Sequence, residues 1–375
     1  MVIMALDHTR DYFHITAMTA NPLDPATAGG ALFFTRWITH FCAPAFVFLS
    51  GLSVYISAQR KTIHEASTFL FKRGVWLIIA EVVIVTLGLT FNPFYNFIIL
   101  EVIWAIGCSM ILLSLFIRSS YKLILITGLI LVFCHNLFDF IDLPATGTVS
   151  VLIKVLFTAS GTIIPLAPKH LVGVFYAVLP WTGIMFLGYA AGAWFRNGFD
   201  PKQRKRNLLI SGFSLLMLFV ILRIINVYGD PSPKTVYGEL MPNILSFLNT
   251  SKYPPSLDFF CMTIGPSLIF LSLIEKTTNR VSRFFSNYGS VPFFYFLVHF
   301  YLLHFLLIIA FFATGHNVTQ ISSFPMPFFF RPVQFGFSLP VVYLIWITLV
   351  ITLYRPCLWY KNYKNTHSYW WLKYI

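Results

Sequence analysis

The chain has 375 residues, 57% of them hydrophobic and only 10% charged, and it carries a net charge of +13. A soluble globular domain has roughly a quarter charged residues, so this composition excludes one and points to protein embedded in lipid. The 26 Lys and Arg recur at alternate loops instead of gathering on one amphipathic element, so the positive charge marks topology and not a nucleic-acid partner.

Apolar stretches near the ~20 residues that cross ~30 Å of hydrocarbon fall at approximately 1–13, 33–58, 71–91, 97–117, 122–141, 174–195, 207–227, 257–275, 289–313 and 338–354. Only backbone that satisfies its own hydrogen bonds crosses a bilayer. The expected fold is therefore all-α, a polytopic bundle of about ten transmembrane helices forming a single domain over 1–375. The first stretch covers only roughly 20 Å at 1.5 Å per residue, so either its cytoplasmic half lies upstream of Met1 or it is a half-span. The connections at about 142–173 and 228–256 contain turn-forming runs such as Asp230-Pro231-Ser232-Pro233 and Lys252-Tyr253-Pro254-Pro255 and are expected to be loops, in part re-entrant. Within the first of them, 149–157 is apolar enough for a short interfacial helix.

Eighteen of the 26 cations lie in the loops after the second, fourth, sixth and eighth stretches and in the tail. The positive-inside rule then puts those loops and both termini in the cytoplasm. Trp359, Trp370 and Trp371 in the basic tail read as an interfacial anchor. Five cysteines without C-x-x-C spacing support neither a disulfide framework nor a zinc site, and no metal is predicted. Phosphate-binding glycine loops, G-x-S-x-G elbows and H-E-x-x-H motifs are absent, so any catalysis rests on histidine and carboxylate.

Ionisable groups in a bilayer survive only where they face a bundle interior or a water-filled cavity, which makes each a functional candidate. Most here fall toward the non-cytoplasmic side. Asp7, His8, Arg10 and Asp11 end the first span; Arg36 and His40 enter the second, one helical turn apart and on one face. Glu101, the group His135, Asn136 and Asp139, and the group Arg223, Asn226 and Asp230 lie near the outer ends of the fourth, fifth and seventh spans. The spacing lets Arg10 pair with Asp7 or Asp11 and lets His8 meet Asp11, giving the carboxylate-oriented imidazole that a general base requires. His14, three residues beyond Asp11, is an alternative base. His299 and His304, five apart, do not share a helix face, and axial haem ligation by a pair such as His40 and His299 has no specific support. Glu81, mid-span and without a sequence-local partner, is read either as a hydrogen-bonded carboxyl or as a proton relay.

Asp7-His8-Thr9-Arg10-Asp11-Tyr12-Phe13 and the run from Arg36 through His40, Pro44 and Gly51 resemble bacterial membrane proteins related to the catalytic domain of heparan-alpha-glucosaminide N-acetyltransferase. Further matching runs are Val102 to Gly107, Pro180 to Met185 with Leu187-Gly188-Tyr189, Ser246 to Leu257, Val291 to Tyr295 with His299, and Trp370 to Tyr374, so the likeness covers nearly the whole chain. Members carry an Asp-x-x-Arg-Gly segment ahead of the first span, and this chain starts after it. The resemblance implies a bundle of about ten helices that takes an acetyl group from cytoplasmic acetyl-CoA and delivers it, through a histidine-dependent step, to a sugar on the far side. The stretch between Phe13 and Phe33 differs from that of the lysosomal enzyme, whose catalytic histidine falls there, which leaves His14 and His8 as the nearest candidates.

The expected function is a bacterial inner-membrane acetyltransferase acting on a periplasmic sugar or envelope glycan, with acetyl-CoA as donor. His8, His14, Asp7, Asp11 and His40 form the catalytic set; Arg10, Arg36, Glu101, Arg223, Lys252 and His299 form the substrate-binding set. The clusters Lys72, Arg73 and Lys202 to Arg206 are candidates for attracting CoA phosphates. The partners are the lipid bilayer, the acyl-CoA and the glycan, with self-association left open. The alternatives are a proton- or solute-binding permease and a non-catalytic subunit of an envelope complex.

Overall fold

Pro44 sets the first turning point of the bundle. It has no amide to donate to the carbonyl four residues back, that of His40. The apolar run after α1 (Val2–Phe13) therefore divides into α2 (Gly30–Thr39) and α3 (Cys42–Ala58), with His40 and Phe41 at the break. The computed structural model describes residues 1–142, 144, 147–159, 162–322 and 326–375.

Helix α4 (Ile63–Ala80) starts at a capping box, in which the Thr62 hydroxyl accepts from the Glu65 amide at 3.2 Å and the Glu65 carboxylate accepts from the Thr62 amide at 2.8 Å. It continues through a π-helical turn, Glu81–Val85, into α5 (Thr86–Thr90). The stretch expected to be helical from 97 opens instead as a strand, β1 (Phe97–Leu100), and only then becomes α6 (Val102–Phe116). Hydropathy cannot separate a buried strand from a buried helix in a run such as Phe-Ile-Ile-Leu; pairing partners distant in sequence decide it. These partners follow α7 (Tyr121–Cys134) and α8 (Thr148–Ile153), which extends through a π-helical turn to Thr158 as the short helix expected at 149–157. They are β2 (Thr162–Ala167) and β3 (His170–Val174), in a sheet of order β1-β3-β2 with β1 parallel and β2 antiparallel to β3. In this expected loop, positions 143, 145–146 and 160–161 lie outside the described residues.

The remaining helices are α9 (Val178–Ala191), α10 (Pro201–Ile225), α11 (Leu240–Leu248), α12 (Leu257–Ile274), α13 (Arg280–Gly289), α14 (Pro292–Ala313) and α15 (Leu339–Thr366). Among the described residues seven helical stretches are long and apolar enough to cross a membrane: Gly30–Ala58, Tyr121–Phe140, Val178–Phe195, Pro201–Ile225, Leu257–Ile274, Pro292–Ala313 and Leu339–Thr366. The protein is thus a multi-pass, mainly helical membrane protein. The other three expected spans contain the short α1, the run interrupted at Glu81, and α6 shortened by β1. Ile210, Phe213, Met217, Val220 and Ile224 on α10 are exposed, as a lipid-facing stripe requires.

Glycines let three helix pairs approach backbone to backbone, the usual solution where lipid removes any hydrophobic drive between helices. A Cβ on Gly51 of α3 would lie 2.0 Å from the Met185 carbonyl oxygen of α9, and one on Gly188 of α9 would lie 2.0 Å from the Phe48 carbonyl oxygen of α3. Gly74 of α4 and Gly107 of α6 face each other similarly, as do Gly212 of α10 and Gly265 of α12. Gly188→Val should therefore force α3 and α9 apart and destabilise the protein by about 1–3 kcal/mol, the usual range for overpacking. Thermal unfolding in detergent checks this, with Gly289→Ala, whose Cβ would meet nothing within 4 Å, expected to leave the midpoint unchanged.

Candidate functional site

Asp7, on the buried face of α1, organises the polar groups. Its carboxylate accepts from Arg10 Nη2 at 3.3 Å and from the Arg36 guanidinium of α2 in a close ion pair; Arg10 Nη2 also reaches Asp11 Oδ1 at 2.6 Å. Arg36 Nη1 donates to Thr39 Oγ1 at 3.3 Å, which ties the guanidinium to the last turn of its own helix. His40 follows at the Pro44 break, only 1% exposed, with neither ring nitrogen holding a partner among the described residues.

The sheet completes the constellation. Because β1 and β3 are parallel and Leu100 pairs with Val174, both strands end at one edge. Glu101 and the Phe175-Tyr176 pair therefore leave the sheet at the same end. Tyr176 and Tyr253 pack edge to face at 5.5 Å, and the Lys252 ammonium lies over both rings, at 5.8 and 5.0 Å. The Asp7 and Glu101 carboxylates both act electrostatically on Arg36 and Lys252. Glu81 finds its partner across sequence: its carboxyl accepts the Glu101 backbone amide at 2.6 Å and so caps the start of α6.

His8 does not form the expected carboxylate dyad. Asp7 points about 100° away around the helix, and the Asp7 and Asp11 carboxylates are both held by arginine. His8 instead faces α14, with its ring 5.2 Å from that of His299 and 4.4 Å from Phe300. His299 Nδ1 donates to the Tyr295 carbonyl at 3.1 Å, so Nε2 carries the lone pair, and that buried nitrogen has no partner among the described residues.

Three other candidates take structural positions. His14 ends α1 with Nδ1 at 2.9 Å from the Thr16 hydroxyl and lines neither of the two cavities below; burial and the Arg10 and Arg331 charges hold its ring below the ordinary imidazole range. Arg223 lines the polar cavity, but its donors go to the Phe247, Ser246 and Asn249 carbonyls at 3.0, 2.6 and 2.9 Å at the C-terminal end of α11, with Asp258 at 3.7 Å. It holds the 246–249 turn in place. His304 donates to the Phe329 carbonyl at 3.0 Å and stacks on Phe91 at 4.5 Å, away from His299.

Two cavities flank this cluster. One, about 690 Å³, is mainly apolar and is lined by Phe46, Leu70, Leu77, Ile106 and Phe296, with Lys61 and Arg73 on its wall. The other, about 460 Å³, is polar and is lined by Arg36, His40, Arg223, Lys234, Lys252 and Tyr253, among others. Three contributors escaped sequence reasoning: Tyr176 and Tyr253, which seat Lys252, and Lys234. Lys234 carries one legible signal, as one of only eight cations outside the cytoplasmic clusters; nothing local marks the tyrosines.

Fold and site together define a polytopic membrane protein with a buried histidine and ion-pair cluster between two cavities. Residues 2–222, more than half of the chain, match the family described as heparan-alpha-glucosaminide N-acetyltransferase, catalytic, and the chain belongs to that transmembrane acetyltransferase-like family. No curated protein matches the chain. His299, Lys252 and Lys234 lie beyond the matched residues.

Asp7→Asn should leave two guanidinium groups short of their shared counter-charge and cost about 3–5 kcal/mol, the range for breaking a buried pair. Asp11→Asn, at a half-exposed carboxylate, should cost under about 1 kcal/mol. Denaturant unfolding in detergent compares them, and equal losses would refute the central place of Asp7.

Proposed function

We propose that the protein moves an acetyl group from acetyl-CoA on the cytoplasmic side to a sugar hydroxyl or amine of an envelope glycan on the periplasmic side of a bacterial inner membrane, with 1–375 acting as one unit. The observation that carries this reading is the succession of the two cavities along α1. Val2 lines the apolar one, and the Asp7–Arg36 pair adjoins the polar one, a rise of only ~7.5 Å over five residues. His8 lies at the same level. On α14, Phe296 lines the apolar cavity and His299 stands about one turn away. The cytoplasmic assignment rests on the Lys and Arg distribution.

In this mechanism the apolar cavity receives the pantetheine arm, with Lys61 and Arg73 available to the CoA phosphates. Arg204 of the other candidate cluster is already paired with Glu275. The acceptor oxygen or nitrogen attacks the thioester carbonyl carbon while His8 takes its proton. The C–S bond then breaks, and the thiolate leaves as the thiol with a proton returned from the histidines. His299 Nε2, with its lone pair toward the interior, accepts the proton from His8 in the interval. Arg36 stabilises the oxyanion.

The reading is tested with purified protein in liposomes by following thiol release from acetyl-CoA and acetyl incorporation into an envelope glycan fraction. His8→Ala should lower the rate by about 10² to 10⁴, the usual contribution of a general base, whereas His14→Ala should stay near the parent rate. Full activity in His8→Ala sinks the mechanism, and solute uptake without acetyl-CoA would favour a permease. Orientation is read separately with Gly198→Cys: labelling by an impermeant thiol reagent in intact spheroplasts would reverse the proposed topology.

A further inference from the structure

The polar cavity is lined by four cations, Arg36, Arg223, Lys234 and Lys252, and by no carboxylate among the described residues. The two arginines are already compensated. Arg36 is paired with Asp7, and Arg223 has Asp258 and three carbonyl oxygens. The two lysines are not: no carboxylate lies within 4 Å of either ammonium among the described residues. Each is held over aromatic rings instead, Lys252 over Tyr176 and Tyr253 and Lys234 over Phe247 at 5.7 Å. Ring faces orient a cation without cancelling its charge. Lys252 is only 9% exposed, so little water screens it. Asp7 and Glu101 act on it from beyond ion-pair distance. His40 adds two unpartnered ring nitrogens to the same cavity.

We propose that the polar cavity selects an anionic acceptor, a sugar bearing a carboxylate or phosphate, which Lys252 and Lys234 bind through that anionic group. This rests on the acetyl-transfer reading and narrows its acceptor class. Two ammonium groups without a paired carboxylate line one cavity, and an anionic group bound there supplies the missing counter-charge. A neutral sugar supplies neither. The anionic group is separate from the reacting hydroxyl or amine, which the same binding mode leaves free to approach His8.

The test measures thermal protection of the full chain in detergent by glucuronate, glucose 1-phosphate, inorganic phosphate and glucose, at low and high salt, with coenzyme A in parallel. Glucuronate or glucose 1-phosphate should protect, less so at high salt, and whichever protects more identifies the carboxylate or the phosphate as the preferred group. The double variant Lys234→Gln/Lys252→Gln should weaken that protection at least tenfold in apparent affinity, and Lys234→Arg/Lys252→Arg should restore most of it. Retained coenzyme A protection in the double variant certifies its fold, and Lys122→Gln, at an exposed position that lines neither cavity, serves as the unaffected control. Equal protection by glucose, undiminished anion binding in the double variant, or inorganic phosphate matching glucose 1-phosphate would each overturn the proposal. Failure of coenzyme A to protect the parent chain refutes the acetyl-transfer reading instead, whatever the sugars do.

Discussion

A single carboxylate, Asp7, neutralises two guanidinium groups supplied by two helices, and the polar half of the molecule is arranged around it. Charged groups lose hydration within a bilayer, and only close pairing offsets that loss. The Asp7–Arg36 pair docks α1 on α2 and fixes the level at which the bundle interior becomes polar. His40 lies one turn beyond Arg36, where Pro44 interrupts the helix, so a covalent feature of the chain delivers the imidazole to the same level. Removing the carboxylate would disturb more than one contact, because Arg10 and Arg36 share it.

The cavities are consequences of how the helices cross. Helices α3, α4 and α6 each use a glycine-bearing face to close on a neighbour. Val54 and Leu77, one turn beyond Gly51 and Gly74, and Ile106 beside Gly107 line the apolar cavity next to those contacts. The polar cavity has a different construction. Most of its wall comes from the 228–256 connection, where the Asp230 carboxylate accepts from the Ser232 and Ser251 amides and the Ser256 hydroxyl, each at 2.8 Å. Burial raises the Asp230 pKa above the ordinary carboxylate range even against those three donors. Arg223 gathers the carbonyls of the same connection from the other side. A loop tied at both of these points holds its lysines as a helix face would.

The family match covers α1 to α9 and nearly all of α10, and so includes Asp7, His8, Arg36, His40 and Glu101. The lysines of the polar cavity and His299 come from the remainder of the chain. On the proposed reading the donor side and the proton acceptor His8 belong to the matched part, and the groups that recognise the acceptor belong largely to the unmatched part.

Membrane class, helix positions and the Asp7, Arg10, Arg36 and His40 group were legible in the sequence because they depend on local quantities. Hydropathy over ~20 residues reports the bilayer, and three- or four-residue spacing reports a shared helix face. The strand at Phe97–Leu100, the pairing of Glu81 with the Glu101 amide, and the turning of His8 toward His299 were not legible, because each depends on a partner from another element. The same is true of the roles of the cations. Arg223 and Lys252 look alike as isolated charges near span ends, yet one is held by carbonyls and a carboxylate and the other stands over two tyrosine rings with no carboxylate within 4 Å among the described residues. Sequence by itself determined which groups enter the membrane; only the tertiary structure decided which of them remain uncompensated, because compensation is a matter of distances across the fold.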